Sequence, residues 1–327
     1  MKEDDIRPFK LRKQEEKLFE EDAKEFLRYA KRFIDVDCPA CGKSNKKVSF
    51  RKKGYVFKRC DTCRTYYISP RPTPELLKIY YSSSKSAKFW QEKIFPLSRD
   101  ARMKTIYKPR ADLILDIVLK NNIGRELLVD VGAGSGFFGQ EAVSRNFFKK
   151  VILIEPGPIK IKSSSSVEVI NDFIENTNLN LSPDIVTNFE LIEHLSSPLE
   201  FLKKVYVLMR RGSYFIFTTP NMEGFELITL FNRSINIAGP NHLNYFNTSS
   251  IRLLLERIGF KDIQVSTPGR LDADIVANKH KEGVIDLKKY PFLYYMLIQR
   301  GDELKEQFQE FLRCNNLSSN MMVVCRK

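Results

Sequence analysis

From Glu126 onward the apolar residues come in short runs: "LLVDV" (127–131), "VILIE" (151–155), "VEVI" (167–170), "DIVTNF" (184–189) and "YFIFTT" (214–219). Runs of this length, bounded by glycine, proline or charge, predict strands buried on both faces. Between the runs the spacing changes. Leu199, Leu202, Val205, Leu208 and Met209 recur at intervals of three and four, which predicts an amphipathic helix. Strands alternating with helices predict an α/β fold, with a doubly wound, mostly parallel, Rossmann-like sheet. "GFKDIQVSTPG" (259–269) predicts a sixth strand and "SSNMMVVCRK" (318–327) a seventh. The stretch 270–317 between these two has helical patterning and reads as an insertion. This whole unit is expected to span 123–327.

The first third of the chain has a different texture. Residues 1–34 are charged, with Phe19, Phe26, Leu27, Tyr29, Ala30 and Phe33 at helical spacing. Residues 35–72 carry four of the cysteines. "SPRPTPE" (Ser69–Glu75) is a proline-stiffened connector, and Pro74 after Thr73 suits the first turn of a helix. Residues 73–122 are predicted to be mostly helical, with breaks at "SSSKS" and at Pro96.

Composition narrows the function. Of 327 residues, 43% are hydrophobic, enough for a substantial core. No apolar run approaches the roughly 18 residues of a membrane span, and "MKEDDIRPFK" has no apolar signal segment behind it. The expectation is a cytoplasmic protein without stable membrane insertion. The net charge of +14 favours an anionic partner. Eight of the seventeen residues from Lys43 to Arg59 are basic and none is acidic, a block that suits either phosphate contact or a solvated hairpin.

Cys38, Cys41, Cys60 and Cys63 form C-x2-C-x18-C-x2-C. That spacing matches a four-thiolate zinc site, which has no open position and is therefore structural. A cytosolic setting disfavours the alternative of two disulfides. Cys314 and Cys325 are isolated and read as ordinary thiols.

"LLVDVGAGSGFFGQEA" sets a strand directly before Gly132, Gly134 and Gly136, then a helix, and Glu155 ends the next strand. Glycines at the carboxyl end of a parallel strand allow tight turning and close approach to a ligand. A carboxylate at Glu155 can accept hydrogen bonds from two ribose hydroxyls. "VDVGAGSG", the acid of "LIEPG" and "NFELIEHLSSPLEFLKKVYVLMRRGSYFIFTTPN" together resemble the class I S-adenosylmethionine-dependent methyltransferases, over about Leu127 to Gln264. The resemblance implies S-adenosylmethionine as cofactor. It implies that Gly132, Gly134 and Gly136 form the loop around its methionine part and Asp130 holds its amino group. It places Glu155 on the ribose, Asp172 and Phe173 on the adenine, and Asn188 and Phe189 near the transferred methyl. "RRGS" (Arg210–Ser213) departs from the family's usual Pro-Gly-Gly turn. The cysteine module with "YYISPRPTPELLKIYY" also resembles the N-terminal zinc module of methyltransferases from surface-polysaccharide and sugar-derived natural-product pathways.

"NFELIEHLSSP" (188–198) holds Glu190, Glu193 and His194 at i, i+3 and i+4, one face of a helix if the chain turns helical there. His242 follows in "GPNHLNYF". Two carboxylates and two imidazoles suit Mg²⁺ or Mn²⁺. The order resembles the metal quartet of small-RNA 2′-O-methyltransferases, and a related pattern occurs in ubiquinone-pathway O-methyltransferases. Without a metal, Glu193, His194 and His242 would act as catalytic base or anchors. The leading expectation is O-methylation of a sugar hydroxyl on an anionic small-molecule or saccharide acceptor. The alternatives are an RNA methyltransferase acting on ribose or base, a sugar C-methyltransferase, and a non-catalytic zinc-bearing scaffold.

Overall fold

The computed structural model describes residues 1–45, 47–159, 161–177 and 181–327. Its strands are β1 (Val48–Lys52), β2 (Tyr55–Arg59), β3 (Tyr66–Ile68), β4 (Leu127–Val131), β5 (Lys150–Ile154), β6 (Val167–Ile170), β7 (Ile185–Phe189), β8 (Tyr214–Pro220), β9 (Asn244–Tyr245), β10 (Lys261–Ser266) and β11 (Asn320–Arg326). The seven strands expected from the apolar runs form one sheet, in the order β10-β11-β8-β7-β4-β5-β6. β6, β5, β4, β7 and β8 are parallel, and β11 runs antiparallel to both β8 and β10. Side chains alternate between two cores, because successive strand residues face opposite ways. Val129, Val131, Val186, Phe215 and Phe217 enter one core, and Leu128, Ile185 and Ile216 the other. Burial of both faces explains why these strands read as unbroken apolar runs. From β4 the chain winds outward through β5 and β6, then returns to β7 on the other side. That switch leaves a crevice at the carboxyl ends of β4 and β7, where open α/β sheets bind ligands.

The expected break at "SSSKS" is present: Ser84 is extended and its Oγ accepts from the Ala87 amide at 3.1 Å. The break expected at Pro96 is not. Helices Lys85–Phe89, Phe95–Arg102 and Lys108–Lys120 are joined into one rod by two widened π-type turns, Trp90–Ile94 and Met103–Tyr107. Each widened turn falls just before a proline, Pro96 and Pro109, near the start of the next helix. The wider turn shifts the hydrogen-bond register, so the missing proline N–H and the bulk of its ring are accommodated within a continuous helical run.

The cysteine segment is built into the larger unit. β1, β2 and β3 form a small sheet that β9 completes, although β9 lies far along the chain. Cys38, Cys60 and Cys63 share a buried cluster with residues of the main sheet. Arg71, 1% exposed, seals the junction: its guanidinium donates to the carbonyls of Ile68 (2.9 Å) and Ser196 (3.1 Å) and to Asn244 Oδ1 (2.9 Å). The basic block is a β1–β2 hairpin whose lysines are partly used internally. Lys52 Nζ donates to the carbonyls of Ser234 (2.6 Å) and Ile237 (2.7 Å), and Lys58 reaches Asp35 (3.3 Å).

Between β10 and β11, helix Gly301–Cys314 packs on helix Asp272–Lys281, whose C-terminal end meets the N-terminal helix Phe9–Phe26 through ion pairs. Arg12 pairs there with Glu3 and Glu282, and Lys279 with Glu16 (3.0 Å) and Glu282 (2.9 Å). Among the described residues, no helix is long and apolar enough to cross a membrane.

Candidate active site

β4 runs straight into the glycine loop. Gly132, Gly134 and Gly136 all have left-handed backbones (φ 72°, 56° and 79°), a conformation that side chains with a Cβ resist. A Cβ on Gly132 would come within 2.8 Å of Leu191, whereas one on Gly134 would meet nothing within 4 Å. The loop therefore packs directly under the segment after β7 and leaves open space in front of Gly134. Glu155, just past β5, spans that opening: its carboxylate accepts from the amides of Gly134 (2.9 Å) and Gly157 (2.8 Å).

The other residues expected around the donor lie at or just past the carboxyl ends of β4, β6 and β7. Asp130 is 2% exposed and accepts from the Thr187 hydroxyl at 2.7 Å. Burial pushes its carboxyl up to about 7, with the Thr187 bond and the Arg110 charge opposing. Asp172 accepts from the Phe173 amide (2.7 Å) and Asn176 Nδ2 (2.8 Å), and Lys78 Nζ lies 4.7 Å from the centre of the Phe173 ring. Asn188 donates to the Val131 carbonyl (2.8 Å), while its buried Oδ1 has no partner. The Arg110 guanidinium lies 4.0 Å from the Phe189 ring centre. An open glycine loop, an acid beyond β5 and an orphaned amide oxygen at the end of β7 fit S-adenosylmethionine, whose ribose hydroxyls and ammonium are donors.

The acid–histidine segment departs from its expected geometry. Glu190 does not start a helix. Its amide pairs with the Thr218 carbonyl (3.0 Å), and its φ of 54° reverses the chain. A short 3₁₀ turn, Ile192–His194, follows. Glu190 is thereby separated from Glu193 and His194, and it accepts from Thr218 Oγ1 (2.6 Å) and Asn320 Nδ2 (2.8 Å). The residues brought together are Glu193, His194 and His242, one ligand atom of each lying within 4.8 Å of the others. The two imidazole centroids are 4.7 Å apart.

Each histidine is fixed by a backbone carbonyl. His194 Nδ1 lies 2.7 Å from Asn241 O, and His242 Nδ1 lies 2.8 Å from Asn236 O. A carbonyl only accepts, so each Nδ1 carries the hydrogen and each Nε2 keeps a lone pair. Glu193 is 1% exposed: its Oε2 accepts from the Thr219 hydroxyl (2.9 Å) and its Oε1 has no partner. Burial, then the neighbouring Glu190 charge, raises the Glu193 carboxyl well above the usual range. Burial lowers both histidines, His242 to about 3. An orphaned carboxylate oxygen beside two imidazole lone pairs is a donor set that fits a divalent cation. Tyr81 completes the rim, its hydroxyl 3.2 Å from His194 Nδ1. Nothing in "KIYYSS" marks Tyr81, because its partner lies more than a hundred residues away.

The four cysteine sulfurs also converge, all within 4.8 Å of one another. Cys38 and Cys63 Sγ are 3.4 Å apart, and Cys41 and Cys60 Sγ 3.5 Å, close to the about 3.8 Å edge of a tetrahedral zinc–thiolate centre. The two knuckles share one hydrogen-bond scheme. The Gly42 and Arg64 amides donate to the Cys38 and Cys60 carbonyls (2.9 Å each), and the Cys38 and Cys60 amides donate to the carbonyls of Lys43 (3.1 Å) and Thr65 (2.9 Å). Both turns need a left-handed residue, supplied by Gly42 (φ 73°) and Arg64 (φ 61°).

A groove of about 810 Å³, lined by Tyr214, Arg252, Glu256, Lys261 and Arg326, lies at the opposite ends of the strands, away from all these groups.

The fold and site define a nucleotide-cofactor α/β enzyme of the methyl-transfer type, and comparison with known proteins agrees. A family model described as a methyltransferase domain matches residues 101–265, half of the chain. The chain belongs to that methyltransferase-domain family. It is 32% identical over 80 residues to a probable S-adenosylmethionine-dependent methyltransferase of Mycolicibacterium smegmatis, a match covering 24% of this chain and 29% of that relative. The chain thus matches less than a third of that relative's length. Similar solved structures include an S-adenosylmethionine-dependent methyltransferase from Archaeoglobus fulgidus, with 18% identity, 67% of this chain and 94% of that one covered, and a TM-score of 0.44. Another is the 1,6-didemethyltoxoflavin-N1-methyltransferase of Burkholderia thailandensis, with 13% identity, 86% and 99% covered, and a TM-score of 0.46.

Proposed function

We propose that the protein transfers the methyl group of S-adenosylmethionine to a hydroxyl of a sugar acceptor, a nucleotide sugar or saccharide of surface-polysaccharide or natural-product biosynthesis. The observation that carries this reading is the Glu193–His194–His242 group, whose Glu193 and His194 closely follow Leu191, the residue packed over the glycine loop. The sulfonium methyl is already activated, so the protein's task is to align the acceptor and remove its proton. The group has one hard oxygen donor and two imidazole nitrogens, a set suited to Mg²⁺ or Mn²⁺. Such an ion, when bound, lowers the pKa of an adjacent hydroxyl and orients it. The chain's own contribution is fixed in advance. Asn241 and Asn236 hold the tautomers, Thr219 holds one oxygen of Glu193, and Tyr81 closes the rim. Cys38, Cys41, Cys60 and Cys63 would hold a structural zinc, which would stabilise the small sheet that β9 completes.

The sugar assignment rests on the resemblance of the cysteine module. The RNA alternative loses support from the hairpin, since Lys52 and Lys58 are engaged within the protein. Methyl transfer from labelled donor to a panel of sugar nucleotides, with and without EDTA, tests the reading. Activity is expected to disappear with EDTA, return with Mn²⁺, and fall in Glu193→Gln and His242→Ala. Full activity in all three cases would overturn the metal, and failure to bind S-adenosylhomocysteine by calorimetry would overturn the donor.

A further inference from the structure

Arg7 and Arg102 share one aromatic ring. Their guanidinium carbons lie 5.6 and 4.8 Å from the centre of the Trp90 indole. Arg102 is 8% exposed, so its charge is held largely out of water. Its Nε donates to Ser98 Oγ (3.0 Å) and a terminal nitrogen to the Ile6 carbonyl (3.0 Å); neither partner carries charge. Arg7 Nε is buried with no hydrogen-bond partner. Among the described residues, neither guanidinium has a carboxylate within 4.0 Å. Arg12, on the same N-terminal arm, has two, Glu3 and Glu282. Glu15 and Glu226 feel the Arg7 charge only from beyond contact distance. Two like charges gathered without a carboxylate in contact are costly, and the cost is relieved when an anion sits between them.

Position gives this pair a use. Arg102 also lies 5.6 Å from the Phe95 ring centre, and Phe95 stacks at 5.1 Å on Phe137, the residue that follows the glycine loop. The pair therefore lies beside the donor loop, one aromatic stack away from it.

We propose that Arg7 and Arg102, on the Trp90 floor, form a subsite for a phosphoryl group carried by a small-molecule acceptor. The proposal rests on the methyltransferase reading for the word acceptor; the anion site itself stands on the arginine geometry. Two fixed positive charges match the double charge of a phosphate ester or diphosphate, whereas a carboxylate would leave one uncompensated. Arg102 is buried and Arg7 half-buried against an indole, not spread on an open face, which favours a small molecule over an RNA strand.

The test is calorimetric titration of the full, metal-loaded chain with inorganic pyrophosphate, with S-adenosylhomocysteine titrated separately. Pyrophosphate is expected to bind at one site, to resist competition by acetate, and to bind about tenfold or more weakly to Arg7→Gln and to Arg102→Gln. Arg7→Gln loses no hydrogen bond of the fold, so it keeps the test valid if Arg102→Gln fails to fold. No pyrophosphate binding, or equal binding by wild type and both variants, overturns the subsite. Arginine-dependent binding of an RNA oligonucleotide that pyrophosphate does not displace overturns the small-molecule source. Failure of S-adenosylhomocysteine alone defeats the methyltransferase reading and leaves the pyrophosphate result readable.

Discussion

The molecule gathers potential metal ligands in two places, and the two are built on opposite principles. Around Cys38, Cys41, Cys60 and Cys63 the donors are identical, soft and enclosed, and the knuckle carbonyls and amides are paired in a repeated scheme. Among the described residues there, only the Tyr67 hydroxyl is a buried side-chain group without a partner. Around Glu193, His194 and His242 the donors are mixed, and buried oxygens there and at the end of β7 are unpaired: Glu193 Oε1 and Asn188 Oδ1. A closed thiolate set stabilises a fold. Buried polar atoms without partners cost stability and are retained where a ligand completes them. The contrast makes a general expectation: damage to the first region removes stability, and damage to the second removes activity at little or no cost to stability.

The largest effect is expected at Cys60→Ser. Structural zinc contributes folding energy directly, so the melting temperature should fall by roughly 10 °C or more, with the bound zinc lost. An unchanged melting curve would remove the distinction between the two regions. Next comes Arg71→Met. The substitution keeps the apolar stem but leaves the Ile68 and Ser196 carbonyls and Asn244 Oδ1 without their donor, which should cost about 3 kcal/mol in urea unfolding. A change below about 1 kcal/mol would mean that the junction tolerates independent motion of the cysteine module.

How much of this contrast is visible in the sequence depends on how local its causes are. Each parallel strand is a self-contained apolar run, and each knuckle closes within a few residues, so the sheet and the cysteine set can be read directly. The glycine loop is local too. The acidic cluster is not. A helical reading of "ELIEH" is reasonable for the segment alone, but the bond from the Glu190 amide to Thr218 on β8 imposes a left-handed turn that no local propensity favours. The Pro96 break fails for a related reason, since the widened turn that spares it depends on packing along the whole rod. Tyr81 with His194, β3 with β9, and Arg7 with Arg102 are pairings between segments distant in sequence, and nothing in either partner's neighbourhood announces the other.

Within the open region, His242→Ala should lower kcat/KM for methyl transfer by about 100-fold, equivalent to about 2.7 kcal/mol of transition-state stabilisation. Its melting temperature should stay within about 3 °C of the parent. Glu190→Gln is the control that sharpens this. Glu190 already accepts from Thr218 and Asn320 and stands apart from the three-residue group. A neutral acceptor there should cost less than about fivefold. Equal losses in Glu190→Gln and Glu193→Gln would show that the segment rearranges into the four-residue set when it works.

The smallest effect is also the most diagnostic, because it should be stabilising. Asp130 lies under the crevice with its carboxyl raised by burial from 3.8 to about 7. Below pH 3.8 both folded and unfolded chains hold the proton, and the residue contributes no pH dependence. Between 3.8 and 7 the unfolded chain gives the proton up more readily, so stability falls as pH rises, and above 7 the loss is complete. Asp130→Asn removes this titration and keeps an oxygen for the Thr187 hydroxyl. The difference in unfolding free energy between variant and parent, without donor, should therefore grow in the variant's favour from about pH 4.5 to about pH 7.5. A flat difference would mean that the Asp130 charge is already compensated in the free protein. The crevice would then store no cost for its ligand to relieve at that position, and the contrast with the cysteine centre would rest on Glu193 and its histidines alone.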